Sequence, residues 1–117
     1  MAVNSLLPPF EVARTHDGPA ARLALRGELD MLSAPLLTRE LEEAARRRPV
    51  RIVLDLAELS FMDVSGLRAI LDAARSARRD GGSLVIANPM PHIVRLLELT
   101  AIDQSLEVLG RPLAPVS

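Results

Sequence analysis

The chain has 117 residues, a formal net charge of −1 and no cysteine. A chain of that length makes one domain and buries about two thirds of the surface its unfolded form exposes, so a core forms without staples. The charge balance gives no general drive toward nucleic acid or an anionic membrane, and the missing cysteine excludes disulfides, thiolate metal sites and a cysteine nucleophile. Lack of cysteine fits a reducing compartment. With no secretory start and no stretch near the ~18 apolar residues of a membrane span, a cytoplasmic protein without a membrane span is expected. Aromatic residues make up only 2%, which leaves the core to Leu, Ile, Val and Ala.

Residues 1–9, closing on Pro8 and Pro9, carry no period and read as a flexible lead-in. Residues 10–14 and 21–29 flank a turn-rich His16-Asp17-Gly18-Pro19, and Leu23, Leu25, Gly27 and Leu29 alternate with Arg22, Ala24, Arg26 and Glu28. That pattern predicts a hairpin with one wet face. Ser33 as N-cap, Pro35 in the first turn and a stripe of Leu37, Leu41, Ala44 and Ala45 predict a first helix ending at Arg46-Arg47-Arg48. Glu42 with Arg46 and Glu43 with Arg47 stand at i,i+4 in the favourable order, and the arginines suit the negative end of the helix dipole.

Residues 50–56 are almost continuously apolar, the signature of a central strand, and a short connection after Asp55 leads to Asp63-Val64-Ser65-Gly66. These four residues open a second helix that carries Leu67, Ile70, Leu71, Ala74 and Ala77 on one side and stops at Gly81-Gly82. A strand over 83–87 follows, then Asn88 as cap and Pro89 as the start of a third helix bearing Ile93, Leu96, Leu97 and Thr100. Residues 106–109 form a last short strand and 111–117 a Pro-rich tail, so the domain proper is 10–110. The order β-β-α-β-α-β-α-β predicts an α/β fold: a mixed, mostly parallel sheet of about five strands, with right-handed crossovers putting the helices mainly on one face. The other face is left relatively exposed. The loop before Ser65 lies at the carboxyl end of a parallel strand, where such sheets place their sites.

Ser65 sits where backbone N–H groups lack intrahelical partners and the dipole is positive, so a phosphate there is well received. Its plain reading is a helix cap, in competition with Asp63. Gly66 costs roughly 1 kcal/mol against Ala in a helix and marks a close backbone approach. A hydrolase elbow is absent, because Asp63 and Leu67 stand where glycines are required. His92, at a helix start, is a lone candidate base for Ser65, and His16 has no partner at metal-ligand spacing. No catalytic set, metal site or cofactor loop emerges, and Gly81-Gly82-Ser83 reads as a helix stop.

Three runs, Gly27-Glu28-Leu29-Asp30, Ser60-Phe61-Met62-Asp63-Val64-Ser65-Gly66-Leu67 and the stretch from Asn88 to Thr100, fall in an order that resembles the STAS-domain anti-sigma factor antagonists of bacteria. The resemblance implies the STAS fold, and it implies that Ser65, immediately before the glycine, is the phosphorylated serine. Asp30, Asp63, Val64, Gly66, Leu67 and Arg68 then form the partner surface. The implied mechanism is a partner switch in which the unphosphorylated protein binds an anti-sigma factor that is also a serine kinase, releasing a sigma factor, and a serine phosphatase resets it. The protein is then a substrate of enzymes and not one itself, a monomer or weak dimer with no direct nucleic-acid contact. Where many family members carry a second serine, this chain has Val64. The resemblance leaves other roles open: a stand-alone accessory subunit of a lipid-trafficking ABC transporter, and a stressosome-like scaffold or nucleotide-binding STAS module.

Overall fold

The computed structural model describes residues 10–100, 106–108 and 111–112. The lead-in over 1–9, most of the tail, the Thr100 side chain and Leu109, the last residue of the final expected strand, lie outside these residues. A hairpin opens the fold, β1 (Glu11–Asp17) and β2 (Ala20–Leu29) meeting at Gly18 and Pro19. There follow α1 (Ala34–Ala45), β3 (Arg51–Met62), α2 (Val64–Arg79), β4 (Ser83–Ala87), α3 (Pro91–Thr100), β5 (Glu107–Val108) and β6 (Arg111–Pro112). The six strands stand in sequence order, with β2, β3, β4 and β5 parallel and β1 and β6 antiparallel at the edges. The sheet thus has one strand more than the sequence predicts. The addition is the two-residue β6, inside the segment read as tail.

All three helices pack on one side. Leu37 and Leu41 of α1, Leu67 and Ile70 of α2, and Ile93 and Leu97 of α3 share one buried cluster with Leu23, Leu54, Leu84 and Ile86 of the sheet. The opposite face is less open than expected. Val53, Val85 and Ala87 form a second, small buried cluster there. Beside it Arg22 donates to Asp55 at 2.8 Å, and Asp55 also accepts from the Asn88 side chain and the Ala57 N–H. Burial pushes the Asp55 carboxyl up, but these hydrogen bonds and the Arg22 charge outweigh it and hold the group below its ordinary value.

The main departure from the sequence reading is the length of β3. It runs past Asp55, the last residue paired to β4, and continues to Met62 alongside β2 alone. Two bulges make this possible: Ala24 faces Asp55 while Arg26 faces Glu58, and Gly27 faces Leu59 while Glu28 faces Phe61. Each inserts one extra residue on β3. Leu56, Leu59 and Met62 therefore turn into the core while Glu58 and Ser60 stay outside. Strict alternation would have buried Glu58 and Ser60, which is why the sequence suggests a connection at this point.

Helix ends also differ from expectation. Ser33 occupies the N-cap position of α1 but makes no capping bond, its hydroxyl being taken up by the preceding turn. Asn88 does not cap α3; it adopts a left-handed conformation, φ +55°, and its side chain reaches Asp55, so the helix starts at Pro91 instead of Pro89. The expected i,i+4 pairs of α1 are replaced: Arg46 pairs with Glu43 at 3.6 Å, one residue closer, and Arg47 donates toward His16 Nε2 at 3.4 Å. Ala45, expected in the buried stripe, is exposed.

Candidate functional site

Two loops meet at the carboxyl end of β2 and β3. The extra length of β3 brings Met62 into register with Leu29 and lets the Asp63 N–H donate to the Leu29 carbonyl at 3.0 Å. The β2–α1 turn and the start of α2 are thereby fastened together. In the turn, Asp30 Oδ1 accepts from the N–H groups of Leu32 (3.0 Å) and Ser33 (3.1 Å), and Ser33 Oγ accepts from the Asp30 N–H at 2.9 Å. The Ser33 hydroxyl proton has the Glu28 carbonyl at 2.9 Å and the Asp30 carboxylate at 3.1 Å as acceptors. The Ser33 N–H foremost, with its hydroxyl and the Leu32 N–H, holds the Asp30 carboxyl below its ordinary value. Asp30 is the acid that shapes the turn, and the turn leaves Met31 and Leu32 facing solvent, Leu32 at 86% exposure.

Asp63, in extended conformation, is the N-cap of α2, its Oδ1 accepting from the Gly66 N–H at 3.1 Å. Of the two candidate caps the structure selects Asp63, which leaves Ser65 inside the first turn. Ser65 is half-buried, and its hydroxyl makes no hydrogen bond with the described residues. Gly66 is buried, and a Cβ built on it would lie 2.5 Å from Leu29 Cγ and 3.1 Å from Met62 Cγ. The close approach that this glycine permits is internal: α2 sits down on the end of β2. Leu67 is likewise in the core, so it and Gly66 position the helix start, while Val64 and Arg68 face solvent.

His92 is brought to the same rim, but its Nε2–H donates to the Ser60 carbonyl at 2.9 Å. That bond ties the start of α3 to the end of β3. The sequence reading passed over three residues here. Met31, Leu32 and Phe61 are large, apolar and exposed, and with Val64 they make up four of the six exposed large hydrophobic residues described. Their signal was legible in part: Met31 and Leu32 precede the α1 stripe and belong to no buried period. The exposure of Phe61 follows only from the β3 bulges. At this end of the sheet four exposed large apolar residues thus form a rim on the fastened loops, a half-buried serine lies in the first turn of α2, and two carboxylates are already committed to backbone N–H groups.

The chain is similar to known proteins over most of its length. Residues 12–110 match the family described as Mlab, STAS domain. The anti-sigma F factor antagonist of Paenibacillus polymyxa is 31% identical over 100 residues, covering 85% of this chain and 86% of that protein. Among solved structures, an anti-sigma factor antagonist from Mycobacterium paratuberculosis superposes with a TM-score of 0.78 at 20% identity, over 87% of this chain and 86% of that one. The Bacillus cell fate determinant SpoIIAA in its phosphorylated form superposes at 0.65 and 21% identity, over 84% and 88%.

Proposed function

Because the chain belongs to the STAS-domain family of anti-sigma factor antagonists, we propose that its unmodified form binds an anti-sigma factor through the rim around Ser65 and so frees a sigma factor. Phosphorylation of Ser65 by that partner, acting as a serine kinase, ends the interaction. The observation that carries this reading is the placement of Ser65: a hydroxyl free of described hydrogen bonds, in the first turn of a helix, at the end of the sheet where the elements carrying exposed Met31, Leu32, Phe61 and Val64 meet. A rim of this kind supplies the buried apolar centre that a stable interface needs. Val64 and Arg68 contact the partner directly. Asp30, Asp63, Gly66 and Leu67 hold the two loops in the binding geometry.

In the kinase, Ser65 Oγ attacks the γ-phosphorus of a nucleoside triphosphate. The new O–P bond forms as the β–γ anhydride bond breaks, the hydroxyl proton passes to a base on the kinase and the diphosphate leaves. A phosphatase reverses the state by hydrolysis, returning the hydroxyl and inorganic phosphate. The phosphate adds about −1.5 to −2 charge in the middle of the apolar rim. Desolvating it in an interface costs on the order of several kcal/mol, and each ~1.4 kcal/mol is tenfold in affinity. SpoIIAA, a structural neighbour, is known in a phosphorylated form, which supports the same reading for this chain.

The test is the intact mass of the protein after incubation with the cognate anti-sigma kinase, Mg²⁺ and ATP, followed by peptide mapping. One phosphate on Ser65, and none on the Ser65→Ala variant, is expected. An active kinase that leaves Ser65 unmodified contradicts the reading. Co-purification with an ATPase subunit would then support the transporter role, and a particle far larger than a monomer the scaffold role.

A further inference from the structure

Arg68 is exposed on α2, three residues past Ser65, and forms no ion pair with a described residue. Side chains three apart share a helix face, and helical side chains lean toward the N-terminus, so the turn that holds Ser65 lies within reach of the Arg68 guanidinium. The acid that follows on this face, Asp72, is engaged by Arg75 at 3.8 Å. Most of the other charged and titratable groups around the rim are committed. Asp63 accepts from Gly66, Asp30 accepts from Leu32 and Ser33, and His92 donates to the Ser60 carbonyl. Glu58 lies near Arg26 at 3.8 Å, and Glu28 is an exposed carboxylate of β2.

Resting on the reading that Ser65 is phosphorylated, we propose that Arg68 holds the phosphate: its guanidinium forks onto two phosphate oxygens of phosphoserine 65 within the same helix turn. Arginine suits this role because its planar donors match two oxygens at once, which a lysine ammonium does not. The modification then changes two charges at the rim. It adds an anion in the middle of the apolar patch, and it withdraws from the partner a cation that the unmodified protein presents. Arg68 is a positioning residue for the switch: it meets the partner in the unmodified state and the phosphate in the modified one.

The test uses the full chain with phosphoserine installed at position 65 during synthesis, so that no kinase is involved. Phosphorus NMR then follows the second ionisation of the phosphate with pH at low salt. A neighbouring cation favours the dianion, so the parent protein should ionise at a pH roughly 0.3 unit below the Arg68→Gln variant. Arg68→Lys should fall between the two, and Arg79→Gln, at the far end of α2, should titrate like the parent. Identical titration of parent and Arg68→Gln overturns the proposal, as does an equal shift in Arg79→Gln, which would mark a general field. If the pair is seen but no kinase modifies Ser65, the pair stands and the proposed function falls. If the kinase modifies Ser65 but the titrations coincide, the reverse holds.

Discussion

The two ends of the parallel sheet are built from the same kinds of element and carry opposite surfaces. At the carboxyl end, β3 overruns β4, two loops are fastened by the Asp63 N–H to Leu29 bond, and Met31, Leu32, Phe61 and Val64 face solvent. At the amino end, α1 and α2 finish side by side, with Gly82 packed under the Pro49 and Val50 carbonyls. Arg46, Arg47, Arg48, Arg51, Arg78 and Arg79 gather there, all exposed. Arg46 alone among them pairs with a described carboxylate. Arginines at two helix C-termini complement the dipoles and stay solvated, which needs no partner. Exposed large apolar residues gain nothing from water, and their concentration at one rim is the ground for the proposed interaction surface. A chain with a net charge of −1 thus separates an arginine-rich end from the apolar end proposed to bind the partner, and total charge reveals neither.

The sharpest way to break this contrast is to disturb each end separately. Leu32→Ser and Phe61→Ser should fold normally and bind the anti-sigma partner about 10- to 100-fold more weakly, the range expected for truncated apolar anchors. Arg79→Gln should leave affinity within about twofold. Calorimetric titration measures both, and equal losses at the two ends would remove the distinction.

A second contrast concerns glycines. Gly66→Ala should destabilise the fold by about 1–2 kcal/mol, because the new Cβ meets the buried Leu29 and the overpacking exceeds the gain in helix propensity. Thermal unfolding should show a drop of roughly 4–8 °C per kcal/mol. An unchanged midpoint would mean that α2 does not sit on β2 as described. Asp63→Ala should cost about 1 kcal/mol through loss of the α2 cap, with Asp63→Asn retaining most of it, by the same assay.

The smallest effect lies on the helix-free face. Asp55 is held below its ordinary pKa, so its contribution is present above the unfolded value of 3.8 and is lost as pH falls through the lower, folded value. Asp55→Asn should therefore be modestly less stable at neutral pH and should lose less stability than the parent on going below pH 3.8. Urea midpoints across that range measure the difference. A parallel acid profile in the two proteins would contradict the Arg22–Asp55 pairing.

Much of this was open to a reader of residues alone. Leu37 and Leu41, Leu67 and Ile70, and Ile93 and Leu97 lie at helical spacing and face one core, and the stop at Gly81 is realised at φ +85°. What escaped has a common cause in tertiary pairing. The β3 bulges exist because β2 runs alongside, and no local signal separates Glu58 and Ser60 in a bulged strand from the same residues in a loop. Ser33 and Asn88 have capping chemistry, but the turn at Asp30 and the carboxylate of Asp55 compete for their side chains and win. Ser65 was found through its motif. The apolar rim that gives it a surface became visible only once the two loops were brought together.

The most direct test of the account is the affinity of the cognate anti-sigma factor for two forms of the full chain, one with serine and one with phosphoserine at position 65, measured by calorimetry at a single salt concentration. Tight binding of the serine form and a loss of at least about 100-fold on phosphorylation, the equivalent of roughly 2.7 kcal/mol, are expected. Equal affinity of the two forms would contradict the proposed switch.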